Sequence, residues 1–90
     1  MQKYLAEFFG TGFLVYIILA TGNPLAVGAA LALILLLTNN ISGGHVNPAV
    51  TITLAAAGKI PTYDLVPYIL SQCFGGLVAL EIYKRMNFVN

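Results

Sequence analysis

Charged residues are scarce in this chain. Only 8% of its 90 residues are Asp, Glu, Lys or Arg, while 59% are hydrophobic, and an average soluble domain carries about 25% charged residues. A chain this short and this apolar has too little polar surface to cover itself in water. The composition therefore indicates an integral membrane protein, and the net charge of +1 leaves no basic surface for nucleic acid.

Nucleophiles, general bases and metal ligands are equally few. The chain has one cysteine, one histidine and three acidic residues, which are spread along its length. Cys73 has no second cysteine for an internal disulfide, and His45 has no second ligand at a useful spacing for a metal ion. We therefore expect no enzyme, no catalytic residues, no metal site and no cofactor.

Long apolar runs fill most of the chain and predict helices at about residues 4–21, 24–40 and 63–85. The first would be about 27 Å long as a helix, close to the ~30 Å hydrocarbon core of a bilayer. The break "GNP" at residues 22–24 separates the first run from the second. Each of the three runs is predicted to cross the membrane.

A shorter apolar piece, "PAVTITLAAA" at residues 48–57, would form only about 15 Å of helix, which is half a bilayer. It is too short to span and too apolar for water, and the chain then turns back to begin a full span. Irregular backbone at membrane depth must be buried in protein or line a water-filled cavity. The pattern predicts an all-α membrane protein with three transmembrane helices, a re-entrant loop at 41–47 and a re-entrant half-helix at 48–57.

The segment "ISGGHVNPAVT" at residues 41–51 interrupts the apolar pattern. Asn47 is a preferred N-cap and Pro48 is favoured at the first helical position, which leaves the Asn47 amide as a donor at the positive end of the half-helix dipole. Gly43 and Gly44 allow an extended backbone with exposed carbonyl oxygens. Donor, dipole and acceptors together predict a path for small neutral polar molecules that repels cations. Without its flanking residues, the Asn–Pro pair fits a simple helix cap equally well.

The stretch "SGGHVNPAVT" resembles the first signature loop of the aquaporin and aquaglyceroporin family, the major intrinsic proteins. "AEFFGTGFLV" resembles the family's opening helix and "YILSQCFGG" resembles its third, so the resemblance covers essentially the whole chain. Family members carry two such repeats, inverted in the membrane, and this sequence carries only the first. The resemblance implies a single aquaporin-like repeat over residues 1–90, half of the aquaporin fold.

The resemblance also implies roles for individual residues. The signature triplet at the pore centre would be Asn47, Pro48 and Ala49. The carbonyls that line the path would be those of Gly43, Gly44 and His45. The buried side chains that support the loop would be Glu7, His45, Tyr68 and Gln72. For Glu7, an interfacial acid that reaches the membrane surface stays an alternative, and for His45 so does a ring that only satisfies nearby backbone.

The family's constriction positions hold aliphatic residues in this chain. Val27 occupies the second-helix position, and Val50 follows the triplet, as it does in first repeats. Second repeats usually carry an arginine there as part of the selectivity filter, and no residue here replaces it. Together with Leu35, the two valines would form an aliphatic constriction. Such a ring predicts weak discrimination among small neutral solutes or, if it dewets, slower water transport.

Three spans and one half-helix cannot close a pore around a single chain, because the capped end of the half-helix would face lipid. An inverted second copy would supply the missing half. Lys3 and Lys59 would lie on one side of the membrane and Lys84 and Arg85 on the other, so the positive-inside rule favours neither orientation. We expect dual topology and an antiparallel homodimer, and family-like assembly would give a tetramer of such dimers.

The leading hypothesis is a multi-pass membrane channel for passive transport of water or small neutral solutes such as glycerol, with the lipid bilayer, the solutes and other copies of the chain as its partners. Two further functions stay open. One is a non-conducting partner subunit of a full-length channel, and the other is a small dual-topology exporter whose coupling acid would be Glu7. The chain from Met1 to just beyond Arg85 has the form of a complete protein, and a piece of a longer protein is the alternative.

Overall fold

The structure is a computed structural model that describes residues 1–89, so Asn90, the last residue of the predicted repeat, lies outside the described residues. Within residues 1–89 the chain forms four α-helices and no strand. They are α1 (Gln2–Thr21), α2 (Pro24–Thr38), α3 (Pro48–Ala56) and α4 (Leu65–Val89), and a 3₁₀ turn (Thr62–Asp64) precedes α4.

The helices begin and end at the breaks in the sequence. Gly22, with a φ of 56°, ends α1. The side-chain oxygen of Asn23 then caps α2 by accepting from two N–H groups of its first turn at 2.9 and 3.1 Å, and Pro24 takes the first helical position. The same pair of residue types, Asn47 and Pro48, begins α3. Local capping chemistry therefore accounts for the starts of both helices.

Several helix ends differ from the predicted ones. α1 begins at residue 2 rather than 4, and α4 runs to residue 89 rather than 85. α3 ends at residue 56, one before the predicted end, and α2 ends at Thr38 rather than at residue 40. The Thr38 carbonyl oxygen accepts from the N–H groups of Ile41, Ser42 and Gly43 at 2.9, 2.9 and 3.2 Å. These bonds turn the chain out of the helix two residues earlier than the apolar pattern indicates.

α1 and α4 form the main helix pair, and they cross where Gly12 meets Gly75. A Cβ atom added at Gly75 would overlap the carbonyl oxygen of Phe8, so only glycine fits at this crossing. Farther along the pair, the rings of Tyr16 and Tyr83 pack edge to face with centroids 6.3 Å apart. α2 packs on α1, and α3 packs on α4.

The N-terminal ends of α1 and α4 are joined through Asp64. Its carboxylate is buried, and it accepts hydrogen bonds from the Lys3 ammonium and the Tyr4 hydroxyl, each at 2.7 Å. Asp64 also lies just before the first turn of α4, where a negative charge is stabilised by the helix dipole. This contact fixes the register of α1 against α4.

Burial is inverted relative to a soluble protein. Among the described residues, the polar and charged side chains that are buried outnumber the buried hydrophobic ones by seven to five. Large apolar side chains face outward, and Leu25 and Leu36 are 84% and 82% exposed. α1 and the segment Thr62–Met86 are each long and apolar enough to cross a membrane. α2 has 15 residues, about 22 Å of helix. A polar interior inside an apolar exterior suits lipid as the surrounding medium.

Candidate functional site

The N-terminus of α3 is the centre of the candidate site. Asn47 has an extended backbone, and its Oδ1 accepts from the N–H of Ala49 at 2.8 Å, which makes it the N-cap. Asn47 is exposed, and its Nδ2 donates to no residue among residues 1–89. The amide is therefore a free donor at the positive end of the α3 dipole.

Glu7 of α1 holds the loop that leads to α3. Its side chain is completely buried. Oε2 accepts from the Ser42 hydroxyl at 2.7 Å and from the His45 N–H at 3.1 Å. Oε1 accepts from the Val46 N–H and from the Gln72 amide, both at 2.8 Å. Four hydrogen bonds to one carboxylate thus join the loop to α1 and α4.

The same hydrogen bonds orient the carbonyl groups of the loop. The N–H of Gly44 donates to a buried hydroxyl at 3.3 Å, and those of His45 and Val46 donate to Glu7. In a trans peptide the C=O of the preceding residue points opposite to the N–H, and no peptide bond within residues 1–89 is cis. The carbonyls of Gly44 and His45 therefore point away from Glu7, and the carbonyl of Gly43 points away from the Ser42 hydroxyl. They accept no hydrogen bond from the described part of the chain.

Three loop residues adopt left-handed backbone, with φ values of 89° at Gly43, 64° at Gly44 and 45° at Val46. Gly44 also needs its small size, because an added Cβ would lie 2.6 Å from the Leu35 side chain. Val46 is unusual, since a β-branched residue rarely takes this conformation. Its N–H bond to the buried carboxylate and the packing of its side chain against Gly10 hold it there.

A second layer of side chains lies against the loop. His45 Nδ1 lies 2.9 Å from Thr51 Oγ1, and that hydroxyl also accepts from Gln72 Nε2 at 2.8 Å. The hydroxyl can donate to Nδ1 or accept from it, according to the tautomer of the ring. Tyr68 donates to the Ser42 carbonyl at 2.8 Å, and its ring centroid lies 4.9 Å from that of His45. The structure thus brings Glu7, His45, Tyr68 and Gln72 together.

The predicted constriction residues lie on two helices. Val50, on α3, is 41% exposed and borders a pocket of about 320 Å³ that Val27 and Leu35 do not line. Val27 is half-buried near the start of α2. Leu35, also on α2, is 39% exposed and lies over Gly44. The pocket beside Val50 is therefore bounded by α3 alone.

Sequence reasoning missed three residues that the loop depends on, namely Ser42, Val46 and Thr51. A signal existed for Thr51, which lies one helical turn after Asn47 and so near the capped end of α3. Ser42 stands beside the two loop glycines, but serine in a turn is common and indicates no particular partner. The backbone of Val46 gave no signal, because valine is not associated with a positive φ.

Comparisons with known proteins point to one family. The family described as major intrinsic protein matches residues 1–88. The chain is 41% identical over 93 residues to the glycerol uptake facilitator protein-like 6 of Lactiplantibacillus plantarum, covering 93% of this chain and 43% of that protein. It is 38% identical over 97 residues to aquaporin Z of Brucella melitensis, covering 91% and 42%. No solved structure gives a significant match.

The match to a mammalian relative is shorter. The chain is 48% identical over 63 residues to aquaporin-8 of Mus musculus, which covers 70% of this chain and 24% of that protein. The chain therefore spans less than half the length of each of these curated relatives.

Proposed function

The chain belongs to the major intrinsic protein family, and on that basis we propose that it forms a membrane channel for the passive transport of water and small neutral solutes such as glycerol, its pore completed by an antiparallel second copy. Family membership and two membrane-capable helices make it an integral membrane protein, and the family points to a non-enzyme. Relatives named as a glycerol uptake facilitator and as aquaporins support both kinds of solute.

In the proposed architecture α1, α2 and α4 cross the membrane, and residues 41–47 lead into α3 as a re-entrant half-helix. α3 has nine residues, about 14 Å of helix, which reaches only halfway through the hydrocarbon core. The loop before it has irregular backbone, and its inward N–H groups are bonded to Glu7 and Ser42. This satisfaction of the backbone supports a position inside the membrane, where water cannot supply the missing bonds.

The main support for the proposal is an unpaired hydrogen-bond donor that lies close to unpaired hydrogen-bond acceptors. The NH₂ group of Asn47 has no partner in the described chain, and neither do the carbonyls of Gly43, Gly44 and His45, which point away from the side chains that hold the loop. A water or a glycerol hydroxyl can donate to these carbonyls in turn and accept from the amide. It thereby replaces the hydrogen bonds that it leaves behind in bulk water. The positive end of the α3 dipole repels cations at the same point.

The same unpaired groups are our reason for proposing a second copy of the chain. An unpaired amide and three unpaired carbonyls facing lipid would each cost free energy. An antiparallel copy, related by a two-fold axis in the membrane plane, would place a second capped helix end against the first. We propose this homodimer, with dual topology, as the pore-forming unit, and a tetramer of dimers as its assembly.

The proposed pore mouths are aliphatic. Each would be lined by Val27 of one copy and by Val50 and Leu35 of the other, and no guanidinium group is present among them. An aliphatic ring offers a polyol fewer hydrogen bonds, but it also removes the charged group that narrows a strict water filter. We therefore propose weak discrimination between water and glycerol.

Flux through liposomes that contain only this protein tests the proposal. We expect stopped-flow light scattering to show faster water and glycerol equilibration than in protein-free liposomes. Rates equal to those of protein-free liposomes, from folded and inserted protein, would contradict a channel. Flux that appears only after co-reconstitution with a full-length family member would point to the partner-subunit alternative. The exporter alternative requires transport driven by a proton gradient, whereas the complete burial of Glu7 favours a passive path.

A further inference from the structure

The N-terminal end of α3 attracts anions and repels cations. A helix N-terminus carries about half a positive charge, and it attracts anions as readily as it repels cations. Asn47 and Ala49 leave this end exposed. A path formed there would draw in chloride and similar anions, so a path for neutral solutes needs a negative charge close by.

The hydrogen bonds around Glu7 fit its ionised form. The N–H groups of His45 and Val46 can only donate. The Ser42 hydroxyl accepts from the Gly44 N–H, so its hydrogen is directed to Glu7, and the fourth partner is an amide NH₂. Three of the four partners, two backbone N–H groups and an amide NH₂, can only donate, and such donors favour the ionised form of a carboxyl group.

No cationic side chain neutralises Glu7 in the described part of the chain. The ion pairs there join Lys3 to Asp64 at 2.7 Å and Lys84 to Glu81 at 3.8 Å. The imidazole ring is turned to a threonine hydroxyl instead. In its ionised form Glu7 therefore places a full negative charge one loop layer behind the N-terminus of α3, to which it is joined through the N–H of Val46.

We propose that Glu7 excludes anions from the pore by cancelling the attraction of the α3 dipole. The inference rests on the proposed channel function and extends it to charge selectivity. Glu7 touches no solute, and it acts through the field that it adds at the Asn47 amide. An anion at that amide is attracted by the positive end of α3 and repelled by the Glu7 carboxylate behind it. Both interactions are strong where water is largely excluded. A neutral solute meets only the hydrogen-bonding groups.

Chloride and glycerol permeabilities of liposomes containing Glu7→Gln test this inference, with Glu81→Gln as the matched control. Glu81 is also an acid, but its side chain is 60% exposed and lies near the other end of α4. We expect Glu7→Gln to raise the ratio of chloride to glycerol permeability at least roughly tenfold, and Glu81→Gln to leave that ratio unchanged. An unchanged ratio in a Glu7→Gln protein that conducts glycerol would overturn the inference.

Two further measurements apply if Glu7→Gln does not fold. Glu7→Asp keeps the negative charge on a side chain that is one methylene shorter. We expect it to exclude chloride, even if the shorter side chain lowers glycerol flux. Chloride leakage through folded Glu7→Asp would contradict the inference. Infrared spectroscopy reports the charge state directly, because the chain has only three acidic residues. A carboxylic-acid C=O band that is present at neutral pH and survives in the double variant Asp64→Asn, Glu81→Gln would show a neutral Glu7 and overturn the inference.

The failures of the two proposals are distinguishable. A folded wild-type protein that conducts neither water nor glycerol contradicts the channel itself, and the infrared spectrum still decides whether Glu7 is charged. A wild-type protein that conducts glycerol, together with an unchanged ratio of chloride to glycerol permeability in Glu7→Gln, removes only the inference about charge selectivity.

Discussion

At the scale of single residues, Ser42 makes three contacts that hold the loop. Its hydroxyl donates to Glu7 and accepts from the Gly44 N–H, at 2.7 and 3.3 Å, and its carbonyl accepts from Tyr68 at 2.8 Å. We expect Ser42→Ala to lower the free energy of unfolding by about 1–3 kcal/mol, because it leaves a buried N–H and a carboxylate oxygen short of a partner. Denaturant or thermal unfolding in detergent measures the change.

Ser71→Ala is the matched control for Ser42→Ala. The Ser71 hydroxyl donates to the carbonyl of Pro67 within its own helix, at 2.8 Å, and it serves no other element. Its removal should cost about 0.5 kcal/mol or less. Equal losses from the two serine variants would contradict the role of Ser42 in anchoring the loop.

Some residues of the site could be predicted from the sequence and others could not. An acid in the first apolar run, such as Glu7, is costly unless partnered, and the resemblance named its role. Asn47 followed by Pro48 is a local signal that needs no tertiary structure. Val46 gives no such signal, because its left-handed backbone is imposed by contacts with α1, far away in the sequence. The roles predicted for individual residues in transport stay predictions.

At the scale of helices, the crossing of α1 and α4 depends on the absence of a side chain at Gly75. We expect Gly75→Ala to lower stability by about 1–3 kcal/mol or more, because its methyl group would overlap the backbone of α1 at Phe8. Gly76→Ala is the neighbouring control, since its methyl group would meet Val15 at an ordinary 3.5 Å. Thermal unfolding of the two variants should differ clearly, and similar midpoints would contradict a glycine-dependent crossing.

Helix starts were more predictable than helix ends. α2 and α3 each begin at the proline of an Asn–Pro pair, which is where the sequence places their starts. The end of α2 was placed two residues too late, because Asn39 and Asn40 are no barrier to a helix and the turn depends on three bonds to the Thr38 carbonyl. Composition also cannot say whether a 15-residue helix such as α2 crosses a bilayer completely.

At the scale of the whole molecule, the balance of positive charges should set the orientation of the chain. Lys59 lies in the turn after α3 and Lys84 near the end of α4, and both are exposed. We expect Lys59→Gln and Lys84→Gln to bias insertion in opposite directions, because each leaves two positive charges on one side and one on the other. Topology reporters at the two termini would measure the bias.

The paired charge variants also test the antiparallel dimer. Each variant alone should conduct poorly, because it lacks partners of the opposite orientation, and expression of the two together should restore glycerol flux. Full flux from a variant that inserts in one orientation only would contradict the antiparallel pore.

The central claim is that the free amide at the capped end of α3 lies in the transport path, and Asn47→Asp tests it most directly. The aspartate keeps an oxygen that can cap α3, but it replaces the free donor with an anion. Asn23→Asp, at the equivalent cap of α2, makes the same chemical change away from the loop. In liposomes, we expect Asn47→Asp to lower glycerol flux at least roughly tenfold and Asn23→Asp to conduct like the wild type. An Asn47→Asp protein that folds and conducts like the wild type would contradict the account.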